Sequence, residues 1–260
     1  VHGAGLVARH GLVDPLLTLR SLDVRRYGRH ALSFATLNAA VSMRNLPPLD
    51  LIHCHFGPAG VVGALLSELG VLQAPLVVTF YGHDVIRYPR QHGRDVYRRL
   101  FDRAALVLAL DTVMKNRLEE LGSHPDRTRV QPLSIDCHIF SPAATSPSHP
   151  PLELLSVGRF VEKKGFEDAL RGVAGAIELG ATIRHRIAGR GPLQDHLERI
   201  TCELGLESDV QFLGQTSHDE IRDLMRTSHA LLAPSISARD GDEEGTPTVI
   251  IEAMACGIPA

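Results

Sequence analysis

Two glutamates near the end of the chain, Glu244 and Glu252, are separated by seven intervening residues in Glu244-Gly-Thr-Pro-Thr-Val-Ile-Ile-Glu252. Gly245, Thr246 and Pro247 between them read as a helix start, with Thr246 as N-cap and Pro247 at the first helical position. Val249, Ile250, Ala253 and Met254 then supply an apolar face at helical spacing, and Gly257 and Pro259 stop the helix. Glu244 therefore precedes the helix and Glu252 lies in its second turn, leaning back toward the same mouth. That mouth, including the backbone of Thr248, presents unpaired N–H groups and the positive end of the helix dipole, which suit a phosphate. Carboxylates accept hydrogen bonds from vicinal hydroxyls, so the combination fits a ligand with a diphosphate and several hydroxyls. A carboxylate at position 252, in an otherwise apolar turn, requires a partner. The run Asp240–Glu243 alone reads as a solvated acidic loop.

A second constellation is Ser156-Val-Gly158-Arg159-Phe-Val-Glu-Lys-Lys164-Gly165. Gly158 permits a close backbone turn, and Arg159 and Lys164 bracket a helix start. Arg supplies a planar fork for phosphate oxygens and Lys a point charge. A solvated basic loop is the competing reading, and Lys163 reads as a solvated neighbour. Gly189-Arg-Gly191-Pro192 opens a helix after a strand, a weak phosphate signal on its own.

The elements that position these groups are short apolar strands alternating with amphipathic helices, the pattern of parallel βαβ units. Expected strands are 49–54, 75–80, 105–109 and 129–133, then 152–157, 182–188 and 210–213. Expected helices are 15–44, 61–72, 91–102 and 112–121, then 165–179, 192–204 and 218–226. Segment 229–233 leads into the loop before the glutamates. Functional loops of such sheets lie at the carboxyl ends of strands. His55 and the turn Tyr81-Gly-His83-Asp84 fall there, whereas His53, inside a strand, reads as a satisfied core histidine. The Pro- and Ser-rich stretch 141–151 reads as a linker. The expected division is 1–142, an acceptor-side domain incomplete at its start, a linker 143–151, and a truncated nucleotide-sugar-binding domain 152–260.

The 260 residues are 44% hydrophobic and 22% charged, with a net charge of −3. That is an ordinary globular balance with no nucleic-acid footprint. The charge is unevenly spread, +4 up to Pro150 and −7 from Pro151 onward. The four cysteines are scattered, without metal or disulfide spacing, as in a reducing compartment. The histidines form no metal-ligand motif, no apolar run approaches the ~20 residues of a spanning helix, and no signal peptide is visible.

Glu244-Gly-Thr-Pro-Thr-Val-Ile-Ile-Glu-Ala-Met-Ala-Cys-Gly-Ile-Pro259 resembles the signature of retaining glycosyltransferases of the GT-B fold, family 4 (group 1 glycosyltransferases). The acidic stretch Asp240–Gly245 looks most like colanic-acid and exopolysaccharide-type members. The resemblance runs from about His53 to the end. It implies two Rossmann-like doubly wound α/β domains facing across a cleft. It also implies that relatives begin earlier and continue past Ala260. By resemblance, Arg159 and Lys164 hold the donor diphosphate in place of a metal, Glu252 the ribose and Glu244 the sugar hydroxyls. Gly189 and Gly191 match a wall of the nucleotide pocket, and Leu213, in Phe212-Leu-Gly214, a segment whose backbone reads the base. In each case a structural role is an equal alternative. Tyr81 occupies the place of the family's active-site histidine. Either His83 or Tyr81 meets the transferring sugar, with His83 ranked ahead. Gln131-Pro-Leu-Ser-Ile-Asp136 resembles the family's interdomain segment.

The function implied is a cytoplasmic, metal-independent hexosyltransferase that uses a nucleotide-diphosphate sugar and a glycan or lipid-linked acceptor, without a cofactor. A sugar-nucleotide epimerase of the same fold and a non-catalytic sugar-nucleotide-binding fragment are the alternatives. Two arginine clusters, Arg20, Arg25, Arg26 and Arg29, then Arg87, Arg90, Arg94, Arg98, Arg99 and Arg103, add a reversible contact with an anionic membrane face. Arg87, Arg90, Arg94 and Arg98 are spaced to share one helical face.

Overall fold

The computed structural model describes residues 14–143 and 149–260, except 28 and 33, and the backbone alone of 29 and 30. The chain divides into two compact units, Val1–Pro132 and Leu133–Ala260. The division comes before the Pro/Ser-rich stretch, and residues 144–148 of the expected linker lie outside the described residues. Residues just before that stretch belong to the second unit. Phe140 is buried in a core with Leu155, Met225, Leu231 and Val249, and the Arg226 guanidinium donates to Ser141 Oγ at 2.7 Å.

In the first unit, β1 (Ile52–His55), β2 (Leu76–Thr79), β3 (Leu106–Ala109) and β4 (Thr128–Val130) form a parallel sheet in that order. Every residue of β2 is buried, as a central parallel strand requires. Among the described residues, the segment expected as one helix over 15–44 is interrupted: α1 (Pro15–Ser21), α2 (Val24–Tyr27), α3 (Arg29–Leu32) and α4 (Ala35–Met43). Asp14 caps the first through the Leu17 N–H at 3.0 Å. Asp23 accepts from the Arg26 N–H at 3.1 Å and restarts the chain after it; such local capping competes with helix continuation.

The helix after β1 begins earlier than expected, as α5 (Gly57–Glu68). A Cβ on Gly57 would meet the Phe80 and Tyr97 rings at 2.6 Å, so glycine lets this helix settle directly on the sheet. The basic segment is likewise not one helix. After α6 (Gly82–Val85) come α7 (Arg87–His92), a 3₁₀ turn (Arg94–Tyr97) and α8 (Arg98–Arg103). Gly93, at φ +96°, breaks the run, so the shared arginine face does not form. Arg26 and Arg99 instead converge on the nearly buried Glu68 carboxylate at 3.4 and 2.6 Å. α9 (Thr112–Glu120) lies between β3 and β4.

In the second unit the order is β7 (Val210–Gly214), β6 (Ile183–Ala188), β5 (Leu152–Val157) and β8 (Ala230–Leu231), all parallel. β5 is central, and its alternation splits the core. Leu154 packs with Phe160, Leu170 and Ile187. Leu155 packs with Met225, Val249 and Ala253. α10 (Phe166–Glu178), α11 (Gln194–Glu203), α12 (His218–Arg226) and α13 (Thr248–Ala255) complete the unit.

Candidate nucleotide-sugar site

β6 flanks β5 on one side and β8 on the other. The chain therefore leaves β5 and β8 in divergent directions at their carboxyl ends, and in open parallel sheets this switch point is where a ligand crevice forms. The loops carrying Arg159, Lys164 and Glu244 emerge there.

The loop after β5 is laced to its neighbour. Gly158 N–H donates to Ala188 O at 3.0 Å, Phe160 N–H to Arg190 O at 3.0 Å, and Gly189 N–H to Gly214 O at 2.8 Å. Gly189 sits at φ +144°, where a Cβ would lie 1.9 Å from Gly158 O; one on Gly191 would lie 2.5 Å from Phe160 O. Gly189 and Gly191 thus serve the close approach of two backbones. Leu213 is half-buried and ends β7 beside Gly214 in the same lacing.

Beyond Phe160 the chain makes a 3₁₀ turn, Glu162–Lys164, and Gly165 at φ +64° turns it into α10. Lys164 Nζ stands 3.1 Å from Glu244 Oε2, with the two side chains 19% and 18% exposed. The contact is an ion pair without hydrogen-bond alignment at that oxygen. Lys163 is not solvated as expected. Its Nζ lies 3.2 Å from Asp242 Oδ2 and 3.8 Å from Glu244 Oε2, with Lys163 and Asp242 each 15% exposed. The acidic stretch is correspondingly not a free solvated loop, because Asp242 is drawn in by Lys163. Arg159 is exposed, and no ion-pair partner stands against it among the described residues.

The glutamate helix starts later than expected. Pro247 is its N-cap and α13 begins at Thr248, with no side chain capping its first N–H groups. Thr246 lies outside the helix, since Pro247, at ψ 122°, is extended and ends the loop geometry. The C-terminal stop is as expected: Gly257 at φ +78° donates to Met254 O and Ile258 to Ala253 O, both at 3.1 Å, a Schellman closure. Val249 and Ala253 are buried, but Met254 is 68% exposed and does not belong to the apolar face. Glu252, in the second turn, is 7% exposed. Burial holds its carboxyl above the usual glutamate range, against a smaller opposing effect of His218. A cavity of about 560 Å³ touches the same turn at Val161 and Gly165 but is walled by Phe166, Leu193 and His196. Lys163, Lys164, Asp242 and Glu244 do not line it.

In the first unit, the Tyr81 hydroxyl and His55 Nδ1 share a hydrogen bond of 2.8 Å at the ends of β2 and β1. His53 Nε2 pairs with Thr79 Oγ1 at 2.8 Å, and its ring is tilted by 31° to that of His55 with centroids 4.4 Å apart. His53 is exposed rather than part of the core, because β1 alternates and turns His53 and His55 to its more exposed face. Partial desolvation, then His55, lowers its pKa. Asp84 is a scaffold residue, 1% exposed, whose Oδ2 accepts from the Gly57 and Tyr81 N–H groups at 2.9 and 3.0 Å. Burial raises its pKa, and those two bonds oppose the rise. His83, 44% exposed, has Nδ1 3.9 Å from Asp84 Oδ1, so Tyr81, not His83, is joined to His55.

Comparison with known proteins fits this arrangement. The family "Glycosyl transferases group 1" matches residues 141–260, and "Glycosyl transferase 4-like domain" matches residues 2–134. The chain is 33% identical over 245 residues to the putative colanic acid biosynthesis glycosyltransferase WcaL of Escherichia coli, covering 93% of this chain and 60% of the relative. It is 33% identical to the amylovoran biosynthesis glycosyltransferase AmsK of Erwinia amylovora, covering 98% and 64%. The chain thus spans about 60% of the length of these relatives. Among solved structures it resembles Anabaena Alr3699/HepE in complex with UDP and glucose, with a TM-score of 0.68 at 22% identity over 89% of this chain and 63% of that one. Sucrose-phosphate synthase from Thermosynechococcus elongatus gives a TM-score of 0.70 at 22% identity, over 88% and 59%. The α/β fold with parallel sheets is that of GT-B glycosyltransferases, and the chain belongs to the glycosyltransferases, with a 4-like domain over residues 2–134 and a group 1 domain over 141–260.

Proposed function

We propose that the protein is a retaining, metal-independent glycosyltransferase. It moves a sugar from a nucleotide-diphosphate donor to a glycan or lipid-linked acceptor in surface polysaccharide synthesis. The observation that carries this reading is the Lys164–Glu244 pair at 3.1 Å, with exposed Arg159, uncapped α13 and buried Glu252 on the adjoining loops and helix. Cations for a diphosphate and carboxylates for hydroxyls thus emerge at one sheet edge. The names of the colanic acid and amylovoran relatives support the polysaccharide setting, and the UDP and glucose bound to Alr3699/HepE support the donor class.

The difficult event is departure of the nucleoside diphosphate. The bond from the sugar's anomeric carbon to the phosphate oxygen breaks, and negative charge grows on that oxygen. Arg159, Lys164 and the first N–H groups of α13 stabilise this charge where it develops. The acceptor hydroxyl forms its bond on the same face, and its proton passes to the departing phosphate oxygen. Glu252 accepts from the ribose hydroxyls and Glu244 from those of the sugar. Because two side-chain cations supply the counter-charge, no divalent ion is required. The protein works in the cytoplasm, with a reversible contact to the anionic inner membrane face.

Offering a panel of UDP-, GDP- and ADP-sugars to the full-length gene product, with mass-spectrometric detection, tests this. Donor-dependent glycosylated product is the expected outcome. Epimerised free donor, or binding without turnover, contradicts it.

A further inference from the structure

We infer that Lys163 is a positioning residue. It anchors the loop of Glu244 through Asp242, and it retains Glu244 when a diphosphate draws Lys164 away. The inference rests on the donor-site reading above and deepens it.

The loop is a self-closed unit. Ala238 N–H donates to Asp242 O at 2.9 Å, Gly241 N–H to Ala238 O at 2.8 Å, and Asp242 N–H to Asp240 Oδ1 at 3.0 Å. Residues 238–242 therefore move together, carrying Glu244 two residues on. The unit is attached to the 3₁₀ turn at Lys163 by both backbone and side chain. Ile236 N–H donates to Lys163 O at 2.9 Å, and the Lys163 ammonium donates to Asp242 Oδ1 at 3.3 Å with Oδ2 at 3.2 Å. A more peripheral contact, Arg239 to Glu162 at 3.4 Å, involves a 96% exposed arginine and contributes little through water. The Lys163–Asp242 pair is shielded, each side chain being 15% exposed, so its attraction is screened less.

Charge balance gives the second half of the argument. Lys163 and Lys164 face Asp242 and Glu244, so this cluster is neutral as it stands. A diphosphate bound at Arg159 and Lys164 adds negative charge next to Glu244 and repels it. Lys163 Nζ, 3.8 Å from Glu244 Oε2, is the cation left to offset that repulsion. Without it, Glu244 withdraws and the sugar hydroxyls lose their acceptor, while the diphosphate keeps its own contacts.

The test is equilibrium binding of UDP, GDP and ADP to the full-length protein, each alone and as its glucose conjugate. The quantity read is the affinity ratio of conjugate to free diphosphate. Lys163→Ala is expected to lower this ratio about tenfold, the scale of one lost charge-assisted contact, while free diphosphate affinity stays within about twofold. Lys163→Arg, which preserves the charge, is expected to restore the ratio. Asp242→Asn, which weakens the same anchor, is expected to lower it and to be non-additive with Lys163→Ala; it serves as the primary test if Lys163→Ala does not fold. An unchanged ratio in both variants overturns the inference while leaving the donor site standing. Equal weakening of both ligands also overturns it, since Lys163 would then be a phosphate contact. Binding of none of the six by the unsubstituted protein removes the donor-site reading, and this inference with it.

Discussion

Lys164 Nζ stands 3.1 Å from Glu244 Oε2 across two loops that leave different strands. In the proposed reading, Lys164 serves the phosphate and Glu244 the sugar hydroxyls, and the two side chains hold each other. Replacing Lys164 with Ala is expected to lower turnover of the full-length protein by about 10²–10³, the cost of one contact made mainly in the transition state. Steady-state kinetics beside a thermal melt would separate this from loss of fold. Wild-type turnover in a folded Lys164→Ala protein removes Lys164 from the mechanism.

Glu252 couples function to stability in the opposite sense. Burial raises its pKa in the folded protein, so the folded state disfavours the charged form. Stability from this group is present below the unfolded glutamate pKa and declines as pH rises through the raised folded value. Glu252→Gln is therefore expected to raise Tm at pH 7 while weakening nucleotide binding at least about tenfold through the lost ribose contact. Calorimetric melting and titration on the same sample check both signs. A lower Tm with unchanged binding contradicts the reading.

The paired glutamates, the Arg159–Lys164 loop and the alternating elements are legible in sequence because local spacing and strand-end placement carry them. The Lys163–Asp242 anchor is not, because those residues lie far apart in the chain and only the β5–β8 crossover brings them together. The helix start of α5 was missed because Gly57 and Gly60 read as a loop. Their spacing of three, with Gly63 beyond, is the available signal for a helix packed closely on a sheet. The arginine periodicity over 87–98 misled because one glycine at positive φ, Gly93, outweighs a surface pattern with no packing behind it.

His185 provides a pH signature of the second unit. It is fully buried in β6, and burial lowers its pKa to about 4. Ser156 Oγ donates to Leu232 O at 2.8 Å, so it accepts from His185 Nε2 at 2.9 Å, leaving Nδ1 without a partner among the described residues. Protons bind the unfolded chain first, so stability falls as pH drops from about 6.5 toward 4. The expected loss between pH 7.5 and pH 5 is about 2 kcal/mol. Urea unfolding at the two pH values reads it. An equal loss in His185→Leu would assign the slope to other groups.

Membrane association is now a narrower expectation, since Arg26 and Arg99 are engaged by Glu68 and the side chain of Arg29 lies outside the described residues. Arg20, Arg25, Arg90, Arg94, Arg98 and Arg103 remain exposed, each worth about 1 kcal/mol near an anionic leaflet. Sedimentation with anionic vesicles is expected to show binding at low salt that is lost at high salt and absent with neutral vesicles. Equal binding to both compositions assigns these arginines to ordinary solvated surface.

The most direct test of the central claim is the product itself. Full-length protein, exhaustively treated with EDTA, would be given its accepted nucleotide-diphosphate sugar and acceptor, and the new glycosidic bond examined by proton NMR. Arg159 and Lys164 acting as the diphosphate's counter-charge predict undiminished turnover and a product with the donor's anomeric configuration. Turnover restored only by Mn²⁺ or Mg²⁺, or an inverted anomeric centre, would contradict it.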